Sequence, residues 1–589
     1  MDRDETQASG NADQGTFTVS VAEIVDNERK GLLKKAGLPA EPVRHFRRPQ
    51  ERPFQGTERD QVTILFGGLT LRQDQLLYAG LEGLGYKVAR VPLPTKDDFQ
   101  AGKEFGNNGQ CNPTYFTVGA LVNYLKRLRD YEGIPTETIL SDYIFVTGSS
   151  CGPCRFGMYE AEYRLALRNA GFDGFRVLLF EQQGGYSQTG QDVGLKMNLP
   201  FFLMFLNALL LGDLLNAIAC HIRPYEIEPG KTDEVMAKCM DVCKQALRNR
   251  GHNDVEKKLL ARMLGRILPG GADVGVFLDQ LFSHHYLRAL EQCRRILNDE
   301  VEVDYTRARP IVKITGEFWA QTTEGDGNFN MFPFLEQEGA EVLVEPVATW
   351  IDYMLHFYRQ AVLDRRGIDE TRSPPGFWNV GKRLQLAWDH RKKMFLFDLA
   401  QKCLNREFER MRRALGSTVH PLVNQLELQR LGSPYYNSRI DGGEGHLEVA
   451  KNIYYSNRDL AHMVLSLKPF GCMPSTQSDG AQAAVISNYP DMIFLPIETS
   501  GEGDINAHSR VQMALGDAKR KCKDENRNVA EGSAFSQDEV RAYIARHREL
   551  RRPIQNVPHN RGIVSRAANF HLYVAQLMQR DSTWRAQLH

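Results

Sequence analysis

Three cysteine-containing stretches share one local pattern, in which a proline stands two residues after a cysteine. They read CNP at Cys111, CGPC from Cys151 to Cys154, and CMP at Cys472. A proline just after a ligand fixes the turn and removes a backbone donor, and nearby glycines let the backbone approach a bulky inorganic group. Four thiolates suit a zinc ion or a [4Fe-4S] cluster.

The spacing of these four cysteines favours an iron-sulfur cluster over zinc. Zinc sites usually combine two close pairs of ligands. Here the close pair of Cys151 and Cys154 is accompanied by two remote single cysteines, an arrangement that suits a cluster held between domains. We therefore expect Cys111, Cys151, Cys154 and Cys472 to bind the iron of a cluster, while a zinc-stabilised interaction module stays the alternative.

The CGPC stretch also supports a different chemistry. CysGlyProCys after a predicted strand and before a predicted helix is the sequence of thioredoxin-like thiol-disulfide oxidoreductases, in which the helix N-terminus lowers the pKa of the first thiol. Three predicted strands precede the motif, however, and the other two cysteine loops would have no role. This alternative is kept for testing.

Six further cysteines lie in stretches that predict helices, where a free cysteine is most often a small buried hydrophobe. We expect them in the core. They are Cys220, Cys239, Cys243, Cys293, Cys403 and Cys522.

Alternating strands and helices must position the cysteine loops. Strand patterns occur in VTILFGG, KVARVPL, DYIFVTG and FRVLLFEQ, and again in PIVKITGE, AEVLVEP, VLSLKPF and MIFLPIE. Strands joined by helical crossovers predict the α/β class, here two doubly wound parallel-sheet lobes with helical insertions. The loops of Cys151 and Cys472 directly follow predicted strands, at the sheet edge where such folds bind ligands.

The predicted organisation has six parts. They are a polar N-terminal arm (1–60), a first α/β lobe with Cys111, Cys151 and Cys154 (61–194), a helical region (195–308), a second α/β lobe with Cys472 (309–349 plus 439–530), a helical insertion (350–438) and a charged C-terminal helix and tail (531–589).

Composition excludes several classes of function. The 589 residues carry 73 basic and 73 acidic side chains, so no net charge steers the chain toward nucleic acid or an anionic membrane. The apolar stretch Leu199–Ile222 is interrupted by Asn207, Asp213 and Asn216, which favours a buried helix over a membrane span. The polar N-terminus has no secretion signal, which predicts a cytoplasmic protein. No P-loop or GxGxxG motif follows a strand.

Four stretches together resemble one family. GNNGQCNPTYFTVGALVNYL, TGSSCGPCRFGMYEAEYRLALRNAGFDGFRVLLFEQ, GEFWAQTTEGDGNFNMFPFLEQEGAEV and KPFGCMPSTQSDG are similar to the 2-hydroxyacyl-CoA dehydratase superfamily, most of all to its acyl-CoA dehydratase activase-related module. The resemblance covers about residues 60 to 520. It implies two α/β lobes, a cluster on Cys111, Cys151, Cys154 and Cys472 near the lobe interface, and electrons from an ATP-dependent activator protein.

The resemblance also implies a reaction. In the dehydratases, one low-potential electron converts a 2-hydroxyacyl thioester into a ketyl radical anion that expels hydroxide, and relatives often bind a cluster through three cysteines. The implied substrate is an acyl-CoA or another small molecule. The activase-related module is not the catalytic subunit, so this chain is expected to act either as a reductase or dehydratase component or as an electron carrier. The oligomeric state is left open, a dimer included.

Other loop residues are candidates for contact with the site because loops at strand ends are where sites are usually built. After predicted strands lie Glu317, Asn328, Asn330, Glu502, Asn506, Arg510, Gln182 and Gln183. Next to the cysteines lie Tyr115, Arg155, Phe156 and Tyr159, for which core packing or a solvent shield is an equal expectation.

Overall fold

The computed structural model describes residues 21–37, 51–68, 70–149, 154–181, 185–186, 194–250, 271–365, 380–581 and 584. The chain divides into two compact units, residues 1–50 and residues 51–589. The described part of the first unit contains one helix, α1 (Val21–Lys35).

The second unit begins at Glu51, about ten residues before the expected end of the arm. Phe54 is buried, and its carbonyl accepts a hydrogen bond from the Gly194 N–H at 2.8 Å. The Glu51 carboxylate accepts one from the Val177 N–H at 3.0 Å. These contacts make residues 51–60 part of the first lobe.

The first lobe contains a five-stranded sheet. Its strands are β1 (Thr63–Phe66), β2 (Val88–Arg90), β3 (Tyr143–Ser149), β4 (Arg176–Glu181) and β5 (Gly185–Tyr186). Its helices are α2 (Leu71–Gly83), α3 (Lys96–Phe105), α4 (Asn112–Asp130), α5 (Thr136–Asp142) and α6 (Tyr159–Asn169). The strand order is β2-β1-β3-β4-β5, in which the first four strands are parallel and β5 is an antiparallel edge.

Four helices follow: α7 (Leu199–Ile222), α8 (Lys231–Asn249), α9 (Gly271–Phe282) and α10 (His285–Glu300). The second lobe has strands β6 (Ile311–Gly316), β7 (Glu341–Leu343), β8 (Met463–Pro469) and β9 (Ile493–Thr499). The remaining helices are α11 (Phe318–Thr322), α12 (Met331–Gln337), α13 (Val347–Asp364), α14 (Val380–Leu415), α15 (Gln425–Gly432), α16 (Gly445–Asn457), α17 (Met473–Asn488), α18 (Asp504–Glu531), α19 (Gln537–Arg546) and α20 (Arg566–Arg580).

The second sheet has the order β7-β6-β8-β9 and is parallel throughout. This is the same relative order as β2-β1-β3-β4 in the first sheet. In both sheets the order reverses between the first and third strands, which creates a crevice at the carboxyl ends of those two strands. The prediction of two parallel α/β lobes with helical insertions is confirmed.

Both faces of the first sheet are covered. Ile64 and Phe66 of β1 pack in the core that also contains α2 and α7, while Leu65 between them packs with α4 and α6. This alternation follows from the two-residue period of a strand. A parallel sheet with both faces buried is what a doubly wound fold requires.

Helix α7 is a core helix. Among the described residues it is the one helix long and apolar enough to cross a membrane, and 72% of its most apolar stretch is buried within the protein. Its polar side chains have internal partners: Asn216 accepts a hydrogen bond from Arg72 at 2.9 Å, and Asn207 accepts one from Gln280 at 2.9 Å. Asp213 accepts bonds from the N–H groups of Val347 and Ala348 at the start of α13, both at 2.8 Å.

The C-terminal segment is more than a charged tail. Phe570, Val574 and Met578 of α20 are buried in the core shared with α7 and α8. At the start of this helix, Arg566 donates two hydrogen bonds to Glu341, at 3.0 and 2.8 Å. The last described helix therefore fastens onto β7 of the second lobe.

Candidate functional site

A cavity of about 490 Å³ lies at the carboxyl ends of both sheets. The loops after β1 and β3 contribute Gly67, Gly68 and Cys154, and those after β6 and β8 contribute Glu317 and Cys472. These are the loops at the two order reversals. The cavity is therefore built where both folds would place a ligand site.

Cys111 lines this cavity at the start of α4. It is the residue immediately before the helix, and Pro113 occupies the first turn, where the missing N–H costs no hydrogen bond. Its Sγ lies 3.2 Å from Thr114 Oγ1 and 3.3 Å from the hydroxyl of Tyr159. Two hydroxyl groups therefore fix the position of this sulfur.

Cys472 also lines the cavity and has the same local structure. It immediately precedes α17, with Pro474 in the first turn. Gly471 has a φ of 77°, which a residue without a Cβ adopts most easily, and the Cys472 N–H donates to the carbonyl of Pro469 at 3.1 Å. The tight turn after β8 thereby directs the cysteine toward the first lobe.

Cys154 is the third cysteine on the cavity wall. It is half-buried and precedes a 3₁₀ turn (Arg155–Met158) that leads into α6. Gly443, which also lines the cavity, lies next to Cys154: a Cβ placed on Gly443 would be 3.8 Å from the Cβ of Cys154. Cys151, the fourth predicted ligand, lies outside the described residues.

Hydrogen bonds join the Cys111 loop of the first lobe to the Cys472 loop of the second lobe. The Asn112 N–H donates to the carbonyl of Phe470 at 3.2 Å, and the Asn112 side chain donates to the carbonyl of Thr499. The Phe470 N–H in turn donates to Thr499 at 2.9 Å. The sequence neighbours of Cys111 and Cys472 are therefore bonded directly to one another.

Burial sets the charge of these thiols. Burial raises the pKa of Cys111, although the hydrogen bonds from Thr114 and Tyr159 oppose this shift. Burial also raises the pKa of Cys472, and the nearby carboxyls of Glu317 and Glu444 add to that shift. Without a metal both sulfurs hold their protons at neutral pH. A bound metal would replace these protons, because thiolates are the form that coordinates.

Three carboxyl groups lie beside Cys472. Glu448 accepts a hydrogen bond from Ser475 at 2.7 Å and another from Ser478, while Glu444 accepts one from the Phe318 N–H at 2.6 Å. Burial raises the pKa of Glu317, and burial together with Glu317 and Glu448 raises the pKa of Glu444. Burial and the neighbouring carboxyls therefore favour the protonated forms of Glu317 and Glu444.

Sequence reasoning missed Glu444 and the neighbouring Asp441, both of which line the cavity. The stretch from Asp441 to Glu444 reads Asp-Gly-Gly-Glu, which signals a turn and nothing more. It also missed the wall formed by α13, most of which falls in the range 350–438 that was predicted as a helical insertion. The described structure brings that helix to the cavity through Trp350 and Tyr353.

The other candidates separate clearly. Glu317, Arg155, Phe156 and Tyr159 line the cavity. Asn328 donates to the carbonyl of Thr323 and Asn330 to Asp326, so both order their own loop, and Tyr115 packs against Phe99. Away from the described cavity wall lie the exposed residues Glu502, Asn506 and Arg510. Gln182 and Gln183 lie outside the described residues.

Five of the remaining six cysteines lie in the core, as expected, and the sixth, Cys403, does not. Cys220, Cys239, Cys243, Cys293 and Cys522 are buried, and Cys403 is half-buried on α14. Within the described ranges, no three His, Cys, Asp or Glu side chains group so that one metal ion could bind them. A cluster of several iron atoms needs sulfurs that are spread more widely than the ligands of one ion.

Comparison with known proteins adds no relative. No protein-family model matches the chain, and no curated protein is significantly similar to it. The resemblance of the cysteine loops to the dehydratase superfamily thus stays a prediction. The function has to be argued from the cavity.

Proposed function

We propose that the chain is an iron-sulfur protein of the 2-hydroxyacyl-CoA dehydratase/activase-related type. It would act in low-potential electron transfer or radical reduction, with electrons supplied by a separate ATP-hydrolysing activator in the cytoplasm. One observation carries the proposal: Cys111, Cys154 and Cys472 reach a single cavity from three separate loops and from both lobes.

The residues present suit a cluster. Cys111, Cys154 and Cys472 would hold it, with Cys151 as the fourth candidate. Cys111 and Cys472 each precede a helix of sixteen residues or more, so the positive ends of two helix dipoles favour the negative charge of thiolates there. When bound, such a cluster supplies one-electron transfer.

The surrounding residues would protect and tune this site. The hydroxyls of Thr114 and Tyr159 bond the Cys111 sulfur, and hydrogen bonds to ligating sulfurs raise a reduction potential. Phe156 and Trp319 line the cavity with aromatic rings and would limit the access of water to a bound cluster. Burial raises the pKa of Glu317 and of Glu444, which favours their neutral forms and would keep the negative charge near the cluster low.

The two alternatives make different demands on the thiols. Thioredoxin-like exchange needs a thiolate with a lowered pKa, whereas burial raises the pKa of Cys111 and Cys472. That chemistry would therefore fall to the Cys151–Cys154 pair alone. A zinc-stabilised module would need four donors around one ion.

Metal analysis of the anaerobically purified chain tests the proposal. We expect several iron atoms and matching sulfide per chain, with a broad visible absorption that bleaches on reduction. Cys472→Ala and Cys111→Ala should lose most of the iron while the circular dichroism spectrum is unchanged. Cys403→Ala is the matched control, because Cys403 lies on α14, away from the described cavity wall, and should keep the iron.

Other outcomes of these measurements would support one of the alternatives or a different set of ligands. Colourless protein with stoichiometric zinc would support the structural module. Metal-free protein that reduces disulfides, and loses that activity in Cys151→Ser, would support thioredoxin-like chemistry. Full iron content in Cys472→Ala would overturn the proposed ligand set.

A further inference from the structure

The cavity extends well beyond the cysteines into an apolar chamber. Its far walls come from α7 and α13. They include Phe201, Phe205, Trp350, Met354 and Phe357. A volume of about 490 Å³ with mostly apolar walls is typical of sites for small organic molecules.

The wall offers little to balance a negative charge. Among the described lining residues the one Lys or Arg side chain is Arg155, and its guanidinium already donates to the carbonyl of Gly109. Arg155 keeps its charge, but the described wall carries four acidic residues against this one cation, so an anion in the chamber would lose its hydration for little net counter-charge, which is unfavourable.

Three of the four acidic lining residues are held in the wall by backbone donors. Glu317 accepts a hydrogen bond from the Ala320 N–H at 2.9 Å, Glu444 accepts one from the Phe318 N–H at 2.6 Å, and Asp74 accepts one from the Gly68 N–H at 3.2 Å. The fourth acid, Asp441, is exposed to solvent. The described lining residues of α7 and α13 include no charged side chain, so that part of the chamber favours a ligand body without net charge.

One polar group in the wall has no partner. The indole N–H of Trp319 is buried and donates no hydrogen bond to any described residue, although the side chain, 7% exposed, lines the cavity. Buried Trp N–H groups usually find an acceptor. A ligand oxygen at this point would supply the missing one.

From these observations we infer that the chamber binds an uncharged, largely apolar small molecule with a hydrogen-bond acceptor such as a carbonyl oxygen. The apolar body lies between α7 and α13, and the acceptor bonds the Trp319 N–H. Binding depends on the cavity wall alone. The further step, in which this molecule receives an electron from the cluster, depends on the proposed function.

A matched set of fluorescent probes tests the charge preference. Prodan is a neutral two-ring ketone, and its emission reports an apolar environment. We expect the full-length, anaerobically purified chain to bind prodan with a micromolar Kd. Two charged analogues are then used as competitors: 6-dimethylaminonaphthalene-2-carboxylate and a trimethylammonium analogue of prodan. Each should bind at least about tenfold more weakly than prodan, measured as its inhibition constant for displacing the bound prodan. Displacement by either charged analogue as readily as by the ketone would overturn the inference.

Two variants locate the bound probe. Met354→Trp fills the chamber and should abolish binding, whereas Met513→Trp, at an exposed position of α18, should not change it. Trp319→Phe keeps an aromatic ring but removes the N–H, and should weaken prodan binding about fivefold. Binding that is unchanged in both Met354→Trp and Trp319→Phe would overturn the inference.

Iron analysis of the same samples separates this inference from the proposed function. Prodan binding by a chain that holds no iron would support the chamber and contradict the cluster. A chain with iron that binds none of the three probes would support the cluster and overturn the inference about the chamber.

Discussion

Gly471 lies against the backbone of Cys111 across the lobe interface. A Cβ at Gly471 would lie 3.4 Å from the Cα of Cys111 and 3.2 Å from the carbonyl oxygen of Gln110. The two cysteine loops therefore touch through a position that has both a positive φ and almost no room for a side chain.

Replacement of this glycine should weaken the site more than the fold. Gly471→Ala places a methyl group against the Cys111 loop, and its positive φ alone costs about 1 kcal/mol. We expect iron retention under a chelator to fall about tenfold or more, as for other changes that move metal ligands. Iron released by a competing chelator, followed over time, gives the measurement.

Gly230→Ala is the control for that prediction. Gly230 also has a positive φ, 83°, but nothing lies within 4 Å of the added Cβ. The Gly230→Ala variant should therefore lose about as much free energy of unfolding as Gly471→Ala but keep its iron. Equal iron loss in the two variants would mean that the Gly471 contact has no special role.

Tyr159→Phe should lower the reduction potential of a bound cluster. The variant removes the hydroxyl that lies 3.3 Å from Cys111 Sγ, and the more negative reduced state depends on that bond more strongly. A bond worth about 1 kcal/mol more to the reduced state corresponds to roughly 40 mV. Redox titration followed by visible absorption measures the change.

Tyr163→Phe provides the comparison on the same helix. Tyr163 also lines the cavity, but its side chain interacts with Thr117 and Thr147 rather than with a cysteine. Its removal should leave the potential unchanged. If both variants shift the potential equally, the Tyr159 hydroxyl has no specific effect on the sulfur.

Asp213 should make stability depend on pH. Burial raises the pKa of its carboxyl to about 7. Between about pH 4 and 7 the unfolded chain has released this proton and the folded chain retains it, so the free energy of unfolding falls as pH rises, by up to about 1.4 kcal/mol per pH unit. Asp213→Asn removes this dependence. The free energies of unfolding of both proteins, measured in urea from pH 4.5 to 7.5 and plotted against pH, should converge or cross. Parallel plots would contradict the raised pKa of Asp213.

Arg566→Met should destabilise the protein strongly. Although burial opposes ionisation of Glu341, the Arg566 guanidinium holds the pKa of that carboxyl below its usual range. Removal of the guanidinium leaves a buried charge without its partner, at a cost of about 3 to 5 kcal/mol. Arg520→Met, at an exposed ion pair with Asp517, should change the free energy of unfolding by less than about 0.5 kcal/mol. Denaturant unfolding compares the two, and equal effects would contradict this role for Arg566.

The strands could be predicted from the sequence because short apolar runs such as those of β1 and β8 are bounded by glycine or proline. Helix α3 was not predicted, since Phe99, Ala101 and Gly102 are its only buried residues and form no recognisable stripe. Two-residue β5 has too little sequence to carry a pattern. Short apolar runs with clear boundaries could therefore be recognised, whereas a helix with few buried residues and a two-residue strand could not.

The cysteine loops could be recognised because proline and cysteine stand at a fixed spacing within each loop. Glu444 and the α13 wall could not, because their position depends on how distant helices dock rather than on local sequence. The same reason explains Trp319, whose unpartnered N–H is visible only once the cavity around it is built.

The shared order of the two parallel sheets has an evolutionary consequence. A chain whose halves repeat one topology is the arrangement that duplication and fusion of a single ancestral gene would produce. In such a history the loop after the third strand existed twice, and each copy could then diverge. The asymmetry seen now, with CGPC in one half and a single cysteine in the other, is the outcome expected when two descendants of one loop specialise around a common space.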